Sequence, residues 1–305
     1  MSPSASPAVS FDAVSKAFGA TKAVSDVSFR VERGMVHALL GENGAGKSTT
    51  MKLLSGLIAP DSGTIAIDGR TVQLTSPRDA HRAGVRTAFQ ELTLVRDLSV
   101  LENMLLPSAP TSLFGTLRRR AVADRVETHF DRLGMRVDLH AEAGSLDLAM
   151  RQKIEIARAL FREPSILLLD EPTSALTGSD VEWLGGIIAD ARSRGVTVLF
   201  ISHRMPEVRA FCDTMTILRN GRHIASGSVA EFTDAEVIEM IIGRSLDQTF
   251  PPRRKATAMQ LPEPVLETQG LCAGEKLKDI DLQLRPGEIV GVAALQGMGQ
   301  LDLFS

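Results

Sequence analysis

Nine consecutive residues, Gly41-Glu42-Asn43-Gly44-Ala45-Gly46-Lys47-Ser48-Thr49, carry the spacing G-x-x-x-x-G-K-S/T. Glycines at these positions let the backbone wrap a phosphate so that successive N–H groups point at it. Lys47 can reach the β- and γ-phosphates of a nucleotide, and the Ser48 hydroxyl can ligate Mg²⁺. A second group of chemically capable residues lies downstream. The run Ile166-Leu167-Leu168-Leu169 ends in Asp170-Glu171, followed by Pro172-Thr173-Ser174-Ala175-Leu176. Four apolar residues form a buried strand and deliver two carboxylates at its C-terminal end, where ligand sites sit in parallel sheets. Asp170 is suited to hold Mg²⁺, directly or through water. Glu171 is suited to accept a hydrogen bond from an attacking water.

The elements that would position these groups can be read from periodicity. The apolar run Val36 to Leu40 precedes the glycine-rich loop and reads as a strand; Thr49 to Leu57 after it reads as a helix. Val27 to Val31 alternates and also reads as a strand, as do Thr64 to Ile67, before the turn signal Asp68-Gly69, and Val85 to Phe89. Helices are expected over Arg120 to Leu133, stopped by Gly134, over Leu148 to Phe161, and over Val181 to Ala191. Val196 to Ile201 is a further strand. Strands alternating with helices imply an α/β fold with a mainly parallel sheet.

With both motifs in place, the chain resembles the ATP-binding subunits of ABC transporters, and the resemblance covers about residues 8 to 305. It implies a P-loop NTPase core, an antiparallel β subdomain and a helical subdomain at about 91–162. It carries ATP and Mg²⁺ as expected ligands. Gln90 in Ala88-Phe89-Gln90-Glu91-Leu92 matches the glutamine that links Mg²⁺ and water to the membrane partner. His203 in Phe200-Ile201-Ser202-His203-Arg204 matches the histidine that touches the γ-phosphate. Ser174-Ala175-Leu176-Thr177 matches the loop after the carboxylates, with Thr177 where an aspartate is usual. Phe18 sits where the family stacks an aromatic on adenine, although its position equally suits the core. The signature segment departs from the family's L-S-G-G-Q: it reads Leu146-Asp147-Leu148-Ala149-Met150. In the family this segment closes over ATP held by another nucleotide domain, so Asp147 would bring a carboxylate toward that γ-phosphate.

Residues 1–246 are expected to form the first nucleotide domain, 247–264 a linker, and 265–305 the start of a second, incomplete copy. Pro251, Pro252, Pro262 and Pro264 with Arg253-Arg254-Lys255 mark the linker. The repeat aligns Val24 through Gly34 and Leu40 with Leu277 through Gly287 and Ala293. In the second copy Gln300 stands where Lys47 does in the first, and Leu301 where Ser48 does. A tandem with a weak second loop resembles the monosaccharide-import subfamily. That resemblance implies integral membrane permease subunits, an extracytoplasmic solute-binding protein, a second nucleotide-binding domain, and a peripheral position on the cytoplasmic face of the membrane. Two other readings stay open: a truncated ABC domain that binds ATP with little turnover, and a soluble ABC ATPase outside transport.

Composition narrows the field. A net charge of −3 over 305 residues gives no basic surplus for general nucleic-acid binding. No apolar run approaches the ~20 residues of a membrane-spanning helix. Met1-Ser2-Pro3-Ser4-Ala5-Ser6-Pro7 has neither the basic residues nor the apolar stretch of a signal peptide. Cys212 and Cys272 stand apart without metal-ligand spacing and read as reduced thiols of a cytosolic protein.

Overall fold

The computed structural model describes residues 6–106, 119–243, 262–274, 276–293, 299 and 302–304. Most of the expected linker, 247–261, lies outside the described residues, as do Gln300, Leu301 and residues 294–298. The chain divides into two units, Met1–Thr249 and Phe250–Ser305.

The first unit begins with strands β1 (Val9–Phe18), β2 (Thr21–Val31) and β3 (Val36–Leu40). Helix α1 (Lys47–Leu54) and strands β4 (Ser62–Ile67) and β5 (Arg70–Val72) follow, then α2 (Pro77–Arg82) and β6 (Val85–Ala88). Next come α3 (Val100–Leu105), α4 (Arg119–Arg132), α5 (Leu148–Phe161), β7 (Ile166–Asp170), α6 (Ser179–Ser193) and β8 (Thr197–Ile201). The unit closes with α7 (Met205–Phe211), β9 (Thr214–Arg219), β10 (Arg222–Ser228) and α8 (Asp234–Ile242).

Two sheets organise these elements. The six-stranded sheet runs β10-β9-β3-β8-β7-β6, and only β10 pairs antiparallel. The four-stranded sheet, β2-β1-β4-β5, is antiparallel throughout. Every residue of β3, β7 and β8 is buried, as strands covered on both faces require. Alternation within them divides the core. Leu167, Leu169, Val198 and Phe200 pack with α3 to α6 on one side, while Ile166, Leu168, Leu199 and Ile201 pack with the antiparallel sheet on the other.

The expected elements are present, with shifted ends. Helix α1 starts at Lys47 rather than Thr49, because the loop glycine itself serves as the N-cap. Strand β2 extends back to Thr21, since pairing with β1 carries it past the alternating segment. The Asp68-Gly69 turn joins β4 to β5 with positive φ at both residues (52° and 75°), as a tight hairpin demands. Cys212 and Cys272 are both free thiols.

In the second unit, β11 (Leu266–Ala273) pairs antiparallel with β12 (Leu277–Leu284). This hairpin repeats the β1–β2 geometry at matching positions. Leu266 pairs with Leu284 as Val9 pairs with Val31. Asp26 and Asp279 share a positive φ (54° and 55°), as do Ala13 and Gly270 (50° and 58°). The Ala13 amide donates to Ser28 Oγ at 2.9 Å, and the Gly270 amide donates to Asp281 Oδ1 at 2.7 Å.

Candidate functional site

Strand β3 ends at Leu40, and the chain turns through Gly41-Glu42-Asn43-Gly44-Ala45-Gly46 into α1. Two glycines are required sterically. A Cβ on Gly41 would lie 2.3 Å from the Leu218 carbonyl oxygen; one on Gly46, at φ 103°, would lie 2.6 Å from that of Ala23. The loop is held from outside as well: Gly221 N donates to Ala45 O at 3.1 Å, and Ser25 N donates to Gly221 O at 2.7 Å. Helix α1 has no side-chain cap and no acidic residue in its first turn, so its N-terminal amides and dipole face the loop uncompensated. Lys47 is buried and donates from Nζ to the carbonyls of Gly41 (2.8 Å) and Glu42 (3.0 Å). Burial lowers its pKa, against the opposing pull of Glu171 and Asp170. Ser48 lies at the surface, Thr49 is half-buried, and Glu42, Asn43 and Gly44 are exposed.

Because β3, β8 and β7 are parallel neighbours, their C-terminal ends open at one edge. Asp170, the last residue of β7, is buried, with Ser48 close by. Burial raises its pKa, Glu171 adds to the rise, and the neighbouring Ser48, Lys47 and Lys52 work against it. Its Oδ1 is buried with no hydrogen-bond partner. An orphaned carboxylate oxygen beside a serine hydroxyl is an oxygen donor set that fits Mg²⁺, which keeps most of its coordination for water and substrate phosphates. Among the described residues no cluster of three or more His, Cys, Asp or Glu surrounds a metal position.

Glu171 leaves β7 with φ 46°, a conformation rare for a residue with a Cβ, and its amide donates to Ile201 O at 3.0 Å. That bond ties the end of β7 to the end of β8. His203, two residues beyond β8, places Nδ1 3.5 Å from Glu171 Oε1. The histidine side chain is 65% exposed and the glutamate 19%, so the pair faces outward with His203 on the solvent side.

Gln90 leaves β6 at the same edge, since Ala88 pairs with Leu169. Its side chain makes no hydrogen bond to Ser48 or Asp170; it lines a cavity of about 250 Å³ with Leu92, Leu94, Arg96, Leu148 and Arg151. Phe18 ends β1 and is half-exposed, with Lys16 Nζ 5.9 Å from the ring centroid, so it is not a core residue. In the departed signature segment, Asp147 is the N-cap of α5 and accepts from Met150 N at 2.7 Å. Leu146, Ala149 and Met150 pack on the helical core, while Leu148 is exposed.

Two buried carboxylates near the site carried no motif. Glu155, on α5, accepts from Thr93 N (3.2 Å) and Thr93 Oγ1 (2.7 Å) and pairs with Arg158. It thereby fastens the segment after Gln90 to α5. Glu207, on α7, accepts from Thr173 and Ser202. The one sequence signal for either is a glutamate at an otherwise apolar helical position.

A glycine-rich loop and a buried acid at the open edge of a parallel sheet, flanked by an antiparallel sheet, define a P-loop ATP-binding cassette. Residues 24–174 match the ABC transporter family. Solved structures agree: "a nucleotide-free ATP-binding cassette from an ABC transporter" is 25% identical with a TM-score of 0.67, covering 77% of this chain and 98% of that one. An "ATP binding subunit of ABC transporter" is 26% identical with a TM-score of 0.65 over 77% of this chain and 98% of its own. Residues 24–174 of the chain thus carry an ABC transporter domain. Among curated relatives, the ribose import ATP-binding protein RbsA 1 of Mesorhizobium japonicum is 43% identical over 302 residues, 98% of this chain and 58% of the relative. The ribose import ATP-binding protein RbsA of Corynebacterium glutamicum is 38% identical over 297 residues, 97% of this chain and 56% of its own length. The chain thus spans little more than half the length of the curated relatives it matches.

Proposed function

We propose that the chain binds MgATP and hydrolyses it to drive import of a monosaccharide or similar small polar solute through integral membrane permease subunits. The observation that carries this reading is the convergence of Lys47, Ser48, Asp170, Glu171 and His203 at one sheet edge. Lys47 and the loop amides hold the phosphates, with Gly41, Gly44 and Gly46 giving the backbone its close approach. Ser48 and Asp170 would hold Mg²⁺, which neutralises phosphate charge when bound. Glu171 accepts a hydrogen bond from a water aligned with the γ-phosphorus. The bond from water oxygen to phosphorus forms as the bond to the β–γ bridging oxygen breaks, and ADP leaves with that electron pair. His203 donates to the γ-phosphoryl oxygens. Phe18 offers a face for adenine.

Partner contacts follow from the position of Gln90. A cavity of about 340 Å³ beside β6 is lined by Phe89 and Thr93, which flank Gln90 and Glu91 by a residue or two, with Leu57, Leu106, Arg86 and Arg162. It suits a short segment of a permease subunit, and Gln90 would report its movement to the nucleotide. An extracytoplasmic solute-binding protein and a second nucleotide-binding domain complete the assembly; the repeated hairpin at 266–284 supports the latter. No helix among the described residues is long and apolar enough to cross a membrane, which agrees with a peripheral place on its cytoplasmic face.

Reconstitution of the full-length protein with its permease in vesicles tests the reading. ATP-dependent uptake from a panel of monosaccharides, lost in Lys47→Ala, is the expected result. ATP hydrolysis without uptake of any small polar solute would overturn the import assignment.

A further inference from the structure

Glu207 is a buried carboxylate at the base of the two loops that carry Glu171 and His203. Its Oε2 accepts from Thr173 Oγ1 at 2.9 Å and from Ser202 Oγ at 2.7 Å. Its Oε1 lies 3.4 Å from an Arg204 guanidinium nitrogen, and Ser202 Oγ accepts from Arg204 N at 3.0 Å. All three residues of the bridge are nearly sealed from solvent: Thr173 is 4% exposed, Ser202 2% and Glu207 6%.

The placement is what gives this network a role. Thr173 stands two residues after Glu171, and Ser202 and Arg204 flank His203 on either side. One carboxylate oxygen therefore joins the exit of β7 to the exit of β8. Above the join, Glu171 holds φ 46°. Such a conformation persists only where its surroundings over-determine it. The Glu171 N to Ile201 O bond fixes the backbone on one side, and the Thr173–Glu207 bond fixes it on the other. A carboxylate this buried is costly unless hydrogen-bonded, and a packing role alone would be met by an apolar side chain.

We propose that Glu207 is a positioning residue for ATP hydrolysis, setting the separation and aim of Glu171 and His203 through Thr173 and Ser202. It touches neither nucleotide nor water. The inference rests on the ATPase reading of the same site and deepens it. Glu171 must meet a water and His203 a phosphoryl oxygen at the same moment, and misplacement by about 1 Å costs on the order of 10²-fold in rate.

The test is steady-state ATP hydrolysis by the full-length protein with its permease, with ATP affinity and melting temperature measured on each variant. Glu207→Gln removes the charge and replaces one acceptor by a donor while keeping volume. It is expected to lower kcat at least tenfold with KM for ATP and ATP affinity within twofold. Thr173→Val and Ser202→Ala, which delete the two donors without touching the glutamate, are expected to lower kcat in the same way. Combined with Glu207→Gln they should add little, because they break one unit. In a Glu171→Gln background, Glu207→Gln should cause no further loss. A lowered melting temperature with unchanged kcat in Glu207→Gln, Thr173→Val and Ser202→Ala would make the network a structural brace and overturn the inference. Full additivity with Glu171→Gln would also overturn it. A wild-type assembly that hydrolyses no ATP would remove the ATPase reading and this inference together, whereas an ATPase sensitive to Glu171→Gln but indifferent to Glu207 would remove the inference alone.

Discussion

Asp147 accepts a hydrogen bond from the Met150 amide at 2.7 Å, closing the N-terminus of the helix that it opens. A serine at this position would cap equally well without charge. If the segment closes over a nucleotide held by another domain, as the resemblance implies, the carboxylate would put a negative group near that γ-phosphate. Two like charges about 4 Å apart cost about 4 kcal/mol at an effective dielectric near 20. The chain is therefore expected to stay monomeric with MgATP even as Glu171→Gln, and to be a poor ATPase by itself. Asp147→Ser with Ala149→Gly should produce ATP-dependent dimers. Light scattering with and without MgATP checks this; a robust dimer from the unmodified segment would count against it.

Lys47→Ala is expected to weaken ATP binding at least tenfold. In the proposed site the lysine would supply a charge-assisted bond to phosphate worth about 1.5–3 kcal/mol. Its present partners, the carbonyls of Gly41 and Glu42, are backbone groups of the loop itself. Titration calorimetry on the isolated chain measures the loss, and equal affinities in the two proteins would remove the phosphate-loop role.

Glu171→Gln is expected to spare ATP binding and to lower turnover at least ~10²-fold in the full-length assembly, the scale of a positioned base. His203→Ala should act on turnover as well, since Nδ1 stands 3.5 Å from the Glu171 carboxylate and the ring is the more exposed of the pair. Single-turnover hydrolysis, with binding measured separately, distinguishes the two effects. Wild-type rates in Glu171→Gln would assign the base elsewhere.

Acid should destabilise the first unit through His37. This β3 residue is buried, with Nδ1 2.8 Å from Thr214 Oγ1 and Nε2 2.9 Å from Thr216 Oγ1. Burial holds its pKa down to about 3 against 6.5 for a free histidine. The unfolded chain therefore binds a proton that the folded chain refuses, and stability falls as pH drops from 6.5 toward 3. At pH 5 the loss is about 2 kcal/mol, from roughly 1.5 pH units at about 1.4 kcal/mol each. Urea unfolding at pH 7.5 and pH 5 should show that difference, and His37→Gln should shrink it. An unchanged difference in His37→Gln would assign the acid sensitivity to other groups.

What could be read in the sequence is what chemistry forces to be local. The phosphate loop is legible because wrapping a phosphate needs glycines at fixed spacing within one turn, and Asp170 because a buried strand announces its own end. Glu207 was not legible. Its partners, Thr173 and Ser202, lie on different strand ends, and no local pattern links them before the sheet orders β8 beside β7. The Glu155–Thr93 clasp escapes for the same reason. Helix limits moved by a few residues where caps decided them: α6 begins at Ser179, ahead of the apolar pattern starting at Val181, after Gly178. Strand β1 carries no legible alternation because bulges at Ala13 and Ser15 break it.

The phosphate loop is wedged between β2 and the β9–β10 turn, with Gly46 against Ala23 and Ala45 tied to Gly221. A cradle set this firmly has little disorder left to lose when a nucleotide arrives. Most of the ordering entropy of association would then fall on the nucleotide, and the loop is expected to present the same amides to ADP as to ATP. Preference for the triphosphate is then expected to rest with groups free to respond to a terminal phosphoryl group, Glu171 and His203 in the proposed site, rather than with the glycines.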